Sequence, residues 1–295
     1  MITLPHLSIS AQVEVYLIFR HYYCVITYKK LGKLGRLGNQ LFQYAGARLY
    51  AELNGFDWAF PPWIGDRIFN MRPKPLGLRR LFLPTVQLED MGSTNWSERL
   101  LRPFGLWQRG TMNQLYSHPR DAISLYGYLQ DETSLSKLRE HKSRVQSWFR
   151  FKPEIDESFR AATKGISWVG MHVRRGDYAR PGLIIPMQTY LDTLTRIRDN
   201  LPVYLASDDP AARYELDPNI LLDIHNPLPD LYACAPGDLF DFWMLQHATI
   251  IIGGGSVFSW WAAFLSENCE YYAPPLTRFW PRPHVAPPPF VRQQI

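Results

Sequence analysis

Thr249-Ile250-Ile251-Ile252-Gly253-Gly254-Gly255-Ser256-Val257-Phe258 reads as a β-branched strand, a glycine turn and the opening of a helix, and that order decides the fold class. An apolar run of this length suits a strand buried on both faces. The glycines let a ligand approach the backbone, and free N–H groups at the positive end of the following helix suit a phosphate. A turn chosen only for its conformation is the competing reading of the same residues.

Working outward, strands are predicted at 166–173, 203–206, 249–252 and 270–273, alternating with helices at 187–199, 238–247 and 258–266. Alternation of this kind implies a parallel sheet with helices on both faces. Ligands in such sheets bind outside the carboxyl ends of the strands. Three loops, 174–177, 207–209 and 253–258, directly follow strands and therefore project from one edge.

The first of these loops continues Met171-His172-Val173-Arg174-Arg175-Gly176-Asp177-Tyr178. Side chains alternate along an extended chain, so His172 and Arg174 share a face and Arg175 takes the other. One arginine can then serve a ligand and the other the scaffold. A guanidinium offers a planar fork that fits a phosphate, whereas the plainer reading is a strand-end ion pair neutralising Asp177. In Asp208-Asp209-Pro210, Asp209 reads as an N-cap with Pro210 in the first helical position, which leaves Asp208 free for function. Trp260 and Trp261 read as core of an apolar helix, and His225 and His247 as structural residues.

The N-terminal half opens with a β-rich 24–28, a glycine-containing 31–38, and Leu41, Ala45, Leu49 and Leu53 at every fourth position, the mark of an amphipathic helix. Asn39 reads as its N-cap. Asn54-Gly55 ends it, 57–60 reads as the next strand, and the unit is βαβ. The stretch 63–120 is rich in Pro, Trp and Arg and pattern does not fix its elements. A strand at 126–130 and a helix at 135–149 follow, and the domains are placed at 24–155 and 156–295.

With 295 residues the chain has room for about two domains. A hydrophobic share of 46%, a charged share of 20% and a net charge of +5 fit a globular protein with an anionic partner. No run of like charges makes a nucleic-acid tail. Cys24, Cys234 and Cys269 are too widely spaced for a disulfide framework or a zinc cluster. The most apolar early stretch, 13–28, contains Glu14, Arg20 and His21, too polar for a membrane span, so a cytoplasmic enzyme without an anchor is expected.

His172 to Tyr178 resembles the H-x-R-R-x-D motif of α-1,2-fucosyltransferases, within the wider group of inverting enzymes that use GDP-fucose. Three more segments resemble that family in the right order: Gly35-Arg36-Leu37-Gly38-Asn39-Gln40-Leu41-Phe42-Gln43-Tyr44-Ala45, Ser207-Asp208-Asp209, and Ser256-Val257-Phe258-Ser259-Trp260-Trp261. The similarity runs over about 25–273, with residues 1–23 upstream of it. It implies a GT-B fold of two Rossmann-like domains, an N-terminal acceptor side and a C-terminal GDP-fucose domain, with the acceptor in the cleft. The implied reaction is inverting transfer of L-fucose to a sugar hydroxyl, the 2-hydroxyl of a terminal β-galactoside.

On this resemblance Arg174 stabilises the leaving β-phosphate, His172 orients the diphosphate or guanine side, and Asp177 is the candidate base, with pairing to Arg175 its rival role. Gly38 and Asn39 face the donor, Asp208 reads guanine, and Ser256 with the amides of Val257 and Phe258 contacts the diphosphate. Val257 stands where the family has a second serine, so only its backbone serves. No metal and no cofactor beyond the GDP-fucose donor are implied; the other expected partner is a glycan acceptor. Alternatives are a transferase for another nucleotide sugar or a protein hydroxyl, and a non-catalytic carbohydrate- or nucleic-acid-binding protein on the same fold.

Overall fold

The computed structural model describes residues 25–77, 83–89, 96–176, 184–229, 238–274 and 290–295. The chain forms two compact units that part between Trp148 and Phe149.

The first unit carries strands β1 Val25–Thr27, β2 Asp57–Trp58, β3 Thr85–Leu88, β4 Trp107–Gly110 and β5 Ile123–Tyr126 in the order β2-β1-β5-β3-β4, all parallel. The 17-residue helix Leu37–Leu53 buries Leu41, Ala45 and Leu49 but also Phe42, Gln43, Ala47 and Ala51, so it is covered on more than one side. From β1 the chain passes to β2 on one side and later strands lie on the other. The switch point of this sheet is therefore between β1 and β5.

The second unit carries β6 Val169–Val173, β7 Val203–Ser207, β8 Ile250–Gly253, β9 Glu270–Ala273 and β10 Val291–Gln293 in the order β10-β9-β8-β6-β7. The first four are parallel and β10 is antiparallel to β9. Val169, Met171, Val173, Ile250 and Ile252 pack with Tyr190 and Leu194 of the helix Met187–Ile197. On the other face the helix Asp238–Gln246 approaches β6 closely enough that a Cβ on Gly170 would lie 3.0 Å from Leu245. Here the switch point falls between β6 and β8, the crevice where such sheets take ligands.

Several boundaries differ from expectation. The unit division precedes the expected 155/156 because the helix Pro153–Thr163 belongs to the second unit, where Phe159 packs on Phe240 and Trp243 and Asp156 accepts from Trp243 Nε1 at 2.8 Å. That helix ends in left-handed Lys164 and Gly165, so β6 starts only at Val169. The expected helix 135–149 is two, Glu132–Glu140 and Lys142–Trp148, and starts early because Asp131 caps it. The expected strand 126–130 lies instead at Ile123–Tyr126, since Leu129 is left-handed. Strands β3 and β4 occupy the stretch where pattern had fixed nothing.

Candidate functional site

Three strand ends build the site in the second unit. At the end of β6, His172 is 5% exposed, its ring is 5.2 Å from that of Phe258, and its Nδ1 is buried without a hydrogen-bond partner. Burial, reinforced by the Arg174 charge, lowers its pKa to about 4 against the opposing pull of Asp208. The ring is therefore neutral at pH 7. Arg174 Nη1 lies 3.1 Å from Asp208 Oδ2. Arg175 points to the other side, as strand alternation requires: Nη1 donates to Asp209 at 3.1 Å and to Glu215, and Nη2 donates to Glu215 Oε2 at 3.0 Å. Hydrogen bonding to Glu215 foremost raises the Arg175 pKa, and the same bond lowers that of Glu215.

The end of β7 braces this arrangement. Ser207 Oγ donates to Val173 O at 2.9 Å and accepts from Asp209 N at 3.1 Å. Asp209 caps the 3-10 turn Pro210–Glu215 by accepting from Ala211 N at 3.0 Å, the structural role read from Asp-Pro. Asp208, expected to be free, is not. Its Oδ1 accepts from Arg175 N at 2.8 Å and Gly176 N at 3.2 Å while Oδ2 pairs with Arg174. Burial alone would push its pKa up, but the two backbone N–H groups and Arg174 outweigh it and hold the carboxyl low. A Cβ on Gly176 would come 2.7 Å from Asp208 Oδ2, so glycine is what lets the loop close on the carboxylate.

At the end of β8, Gly255 has a φ of 72°, in the left-handed region. Gly254 presses on the Met187–Ile197 helix: a Cβ there would lie 2.1 Å from Tyr190 Oη. Ser256 is the N-cap of the helix Val257–Leu265, its Oγ accepting from Phe258 N at 3.2 Å. The Phe258 N–H donates within this cap, and the Phe258 ring flanks His172. Trp260 and Trp261 are 1% and 0% exposed and belong to the core.

Gly38 and Asn39 lie in the first unit. Asn39 does not cap the helix Leu37–Leu53, because the chain turns helical two residues earlier and the N-cap is Arg36. Its Oδ1 accepts instead from Gln130 Nε2 at 2.8 Å. Gln40 and Gln43 donate to the carbonyls of Gly35 at 3.0 Å and Leu34 at 2.9 Å, folding the glycine loop back on the helix. Asp177 lies outside the described residues.

Sequence reading missed Glu215, Tyr190 and Gln130. Only Glu215 had a signal, since it closes the turn that Asp209-Pro210 opens and a carboxylate there faces back to Arg175. No helix among the described residues is long and apolar enough to cross a membrane.

The fold is of the GT-B type. It is similar to the structure of the α-1,6-fucosyltransferase NodZ soaked with GDP-fucose, with a TM-score of 0.55 and 14% identity over 91% of this chain and 98% of that one. It is similar also to POFUT1 in complex with GDP-fucose, with a TM-score of 0.53 and 12% identity over 85% and 97%.

In sequence, the curated relatives of the chain are galactoside α-1,2-fucosyltransferases. It is 26% identical over 263 residues to galactoside 2-alpha-L-fucosyltransferase SEC1 of Bos taurus, covering 81% of this chain and 64% of that protein. It is 28% identical over 155 residues to galactoside alpha-(1,2)-fucosyltransferase 1 of Rattus norvegicus, covering 49% and 37%. The chain thus spans less than two thirds of the length of these relatives. No protein-family model matches it.

Proposed function

We propose that the chain transfers L-fucose from GDP-fucose to the 2-hydroxyl of a terminal β-galactoside, with inversion and without a cofactor. The observation that carries this reading is Arg174, held 3.1 Å from Asp208 beside the neutral, buried His172 at the β6–β8 switch point. The names of the curated relatives support the linkage, and the GDP-fucose in related structures supports the donor.

In this reading the acceptor oxygen attacks the anomeric carbon opposite GDP, and negative charge grows on the β-phosphate as the glycosidic C–O bond breaks. Arg174 meets that charge with a planar fork of donors already oriented by Asp208, the preorganisation that makes such groups effective. His172 offers its unpartnered Nδ1 to the diphosphate or guanine side. The hydroxyl of Ser256 and the amide of Val257 face the diphosphate, and Phe258 seats His172. Asp208 orients Arg174, and its Oδ2, whose one partner is Arg174, can still accept from guanine. Asp177 is the candidate base.

The test is donor turnover with GDP-fucose, GDP-mannose and UDP-galactose in the presence of lactose. The expected result is a fucosylated product from GDP-fucose alone, its new linkage read by NMR at the galactose 2-position. Turnover of UDP-galactose in preference, or no donor turnover by folded protein, would remove the reading.

A further inference from the structure

Val257 opens the helix Val257–Leu265, a position where an N–H has no intrahelical acceptor, and among the described residues none accepts from it. A helix start alone makes no site. Here a second observation joins it: the buried Nδ1 of His172 also lacks a partner, and the His172 ring lies 5.2 Å from that of Phe258 in the same helical turn. Two polar groups left without partners at one strand edge mark a place that a ligand completes.

What aims the Val257 N–H is the carbonyl on its own peptide plane. In a planar trans peptide the C=O of Ser256 and the N–H of Val257 point in opposite directions, so fixing one fixes the other. Ser256 O accepts twice, from Trp260 N at 3.0 Å and from Ser259 Oγ at 3.1 Å. The first bond is ordinary helix. The second is an addition, made by a side chain that is fully buried. A hydroxyl has one proton, and Ser259 gives it to Ser256 O, so the Tyr271 hydroxyl on β9, 3.5 Å away, faces Ser259 as a donor. The turn is shaped around this pair: a Cβ on Gly253 would lie 2.6 Å from Ser259 Oγ and 2.8 Å from Tyr271 Oη. Gly253 lies in β8 and outside the left-handed region, so room, not conformation, is what its missing side chain supplies.

We infer that Ser259 is a positioning residue: its hydroxyl, backed by Tyr271, pins the Ser256 carbonyl and thereby aims the Val257 N–H as a hydrogen-bond donor to a phosphate oxygen of the nucleotide. The inference rests on the proposed seat of the diphosphate at this helix and extends it to a side chain that touches no substrate itself. Valine at 257 has only its N–H to offer, so the direction of that N–H decides the contact.

Val257→Pro deletes the N–H at the first helical position, where proline is tolerated, and Ser256, at φ −86° and ψ 139°, already has the backbone that a following proline requires. Calorimetric GDP binding is measured for wild type, Ser259→Ala, Val257→Pro and the double variant. Val257→Pro is expected to weaken GDP binding about 10-fold or more, the loss of one hydrogen bond to a charged group, and Ser259→Ala about 3- to 10-fold. In the Val257→Pro background Ser259→Ala is expected to cost less than about twofold, because the group it aims is gone.

A helix start merely loosened by Ser259→Ala would lose affinity in both backgrounds alike, and equal losses would overturn the positioning role. Unchanged GDP affinity in folded Ser259→Ala or Val257→Pro would overturn it too while leaving the donor reading intact. Should Val257→Pro not fold, the Val257 amide proton is followed by NMR: GDP is expected to shift it downfield in wild type and less in Ser259→Ala, and equal shifts would overturn the role. No GDP binding by the wild-type protein would remove both readings.

Discussion

The two sheets end their central strands on opposite chemistries. At the ends of β6 and β7 the side chains are charged or titratable: His172, Arg174, Arg175, Asp208, Asp209 and Glu215. After β1 and β5 the side chains that hydrogen-bond the glycine loop and one another into place are neutral carboxamides, Asn39, Gln40, Gln43 and Gln130, although the loop itself also carries Lys29, Lys30, Lys33 and Arg36. Fixed charge is useful where charge develops during a reaction, because it need not reorganise when the bond breaks. Carboxamides fix geometry without a field of their own. On the proposed function, this difference fits leaving-group stabilisation by the charged groups of the second unit.

The strongest way to break that division is Arg174→Lys. The point charge remains, but the planar fork that Asp208 orients is lost. Turnover is expected to fall by about a hundredfold or more, the scale seen when one transition-state donor is removed, while GDP affinity falls far less. Near-normal turnover in a folded variant would take the charged edge out of the chemistry and leave the two sheets equivalent.

Gly254→Ala tests whether the glycine turn after β8 is shaped by its neighbour or by its ligand. The added methyl meets Tyr190 Oη at 2.1 Å, and the next nearest atom, Tyr190 Cζ, at 3.2 Å. Overpacking of this kind costs about 1–3 kcal/mol. Combining Gly254→Ala with Tyr190→Phe removes the closer atom, so the double variant is expected to melt higher than Gly254→Ala alone. No recovery would show that the turn resists a side chain for reasons other than Tyr190.

Much of the charged edge was legible in sequence, and much of the neutral edge was not. Strand alternation alone separates Arg174 from Arg175, and Asp209-Pro210 announces a cap, because both are local rules. The partnership of Arg175 with Glu215 and the occupation of Asp208 by the amides of Arg175 and Gly176 depend on two loops meeting, which local pattern does not encode. Asn39 misled for a similar reason: its type suits a cap, but the helix had already begun at Leu37 and a residue from β5's loop claimed its oxygen. Strands β3 and β4 escaped because Pro, Trp and Arg break the period-2 pattern around them.

His172 gives a pH signature that the carboxamide edge lacks. Its folded pKa of about 4 lies below the ordinary 6.5, so the unfolded chain takes up the proton first. This contribution to stability is complete above pH 6.5, declines as pH falls and is gone below about 4. Acidification from 6.5 to 5 should cost about 2 kcal/mol at this residue. Arg174 and Asp208 are the charged groups facing it, and Asp208, held low by its N–H partners, protonates only at still lower pH. His247 is also lowered by burial and adds to the same window, so the informative quantity is the difference between wild type and His172→Gln. Chemical denaturation across pH 5–7 should show a flatter slope in the variant; equal slopes would mean that His172 is not buried neutral.

The smallest expected effect belongs to the scaffold arginine. Glu215→Gln removes the charge that pairs with Arg175, yet Asp209 still accepts from Nη1 at 3.1 Å and the Glu215 side chain is 42% exposed. Solvent screening limits such a pair to about 1 kcal/mol or less. A small drop in melting temperature that shrinks further in high salt is expected, with GDP affinity and turnover unchanged, because Arg175 points away from the face that His172 and Arg174 share. A loss of GDP affinity without a loss of stability would reverse the assignment of the two arginines. The face that alternation gives to the scaffold would then be the one that meets the ligand.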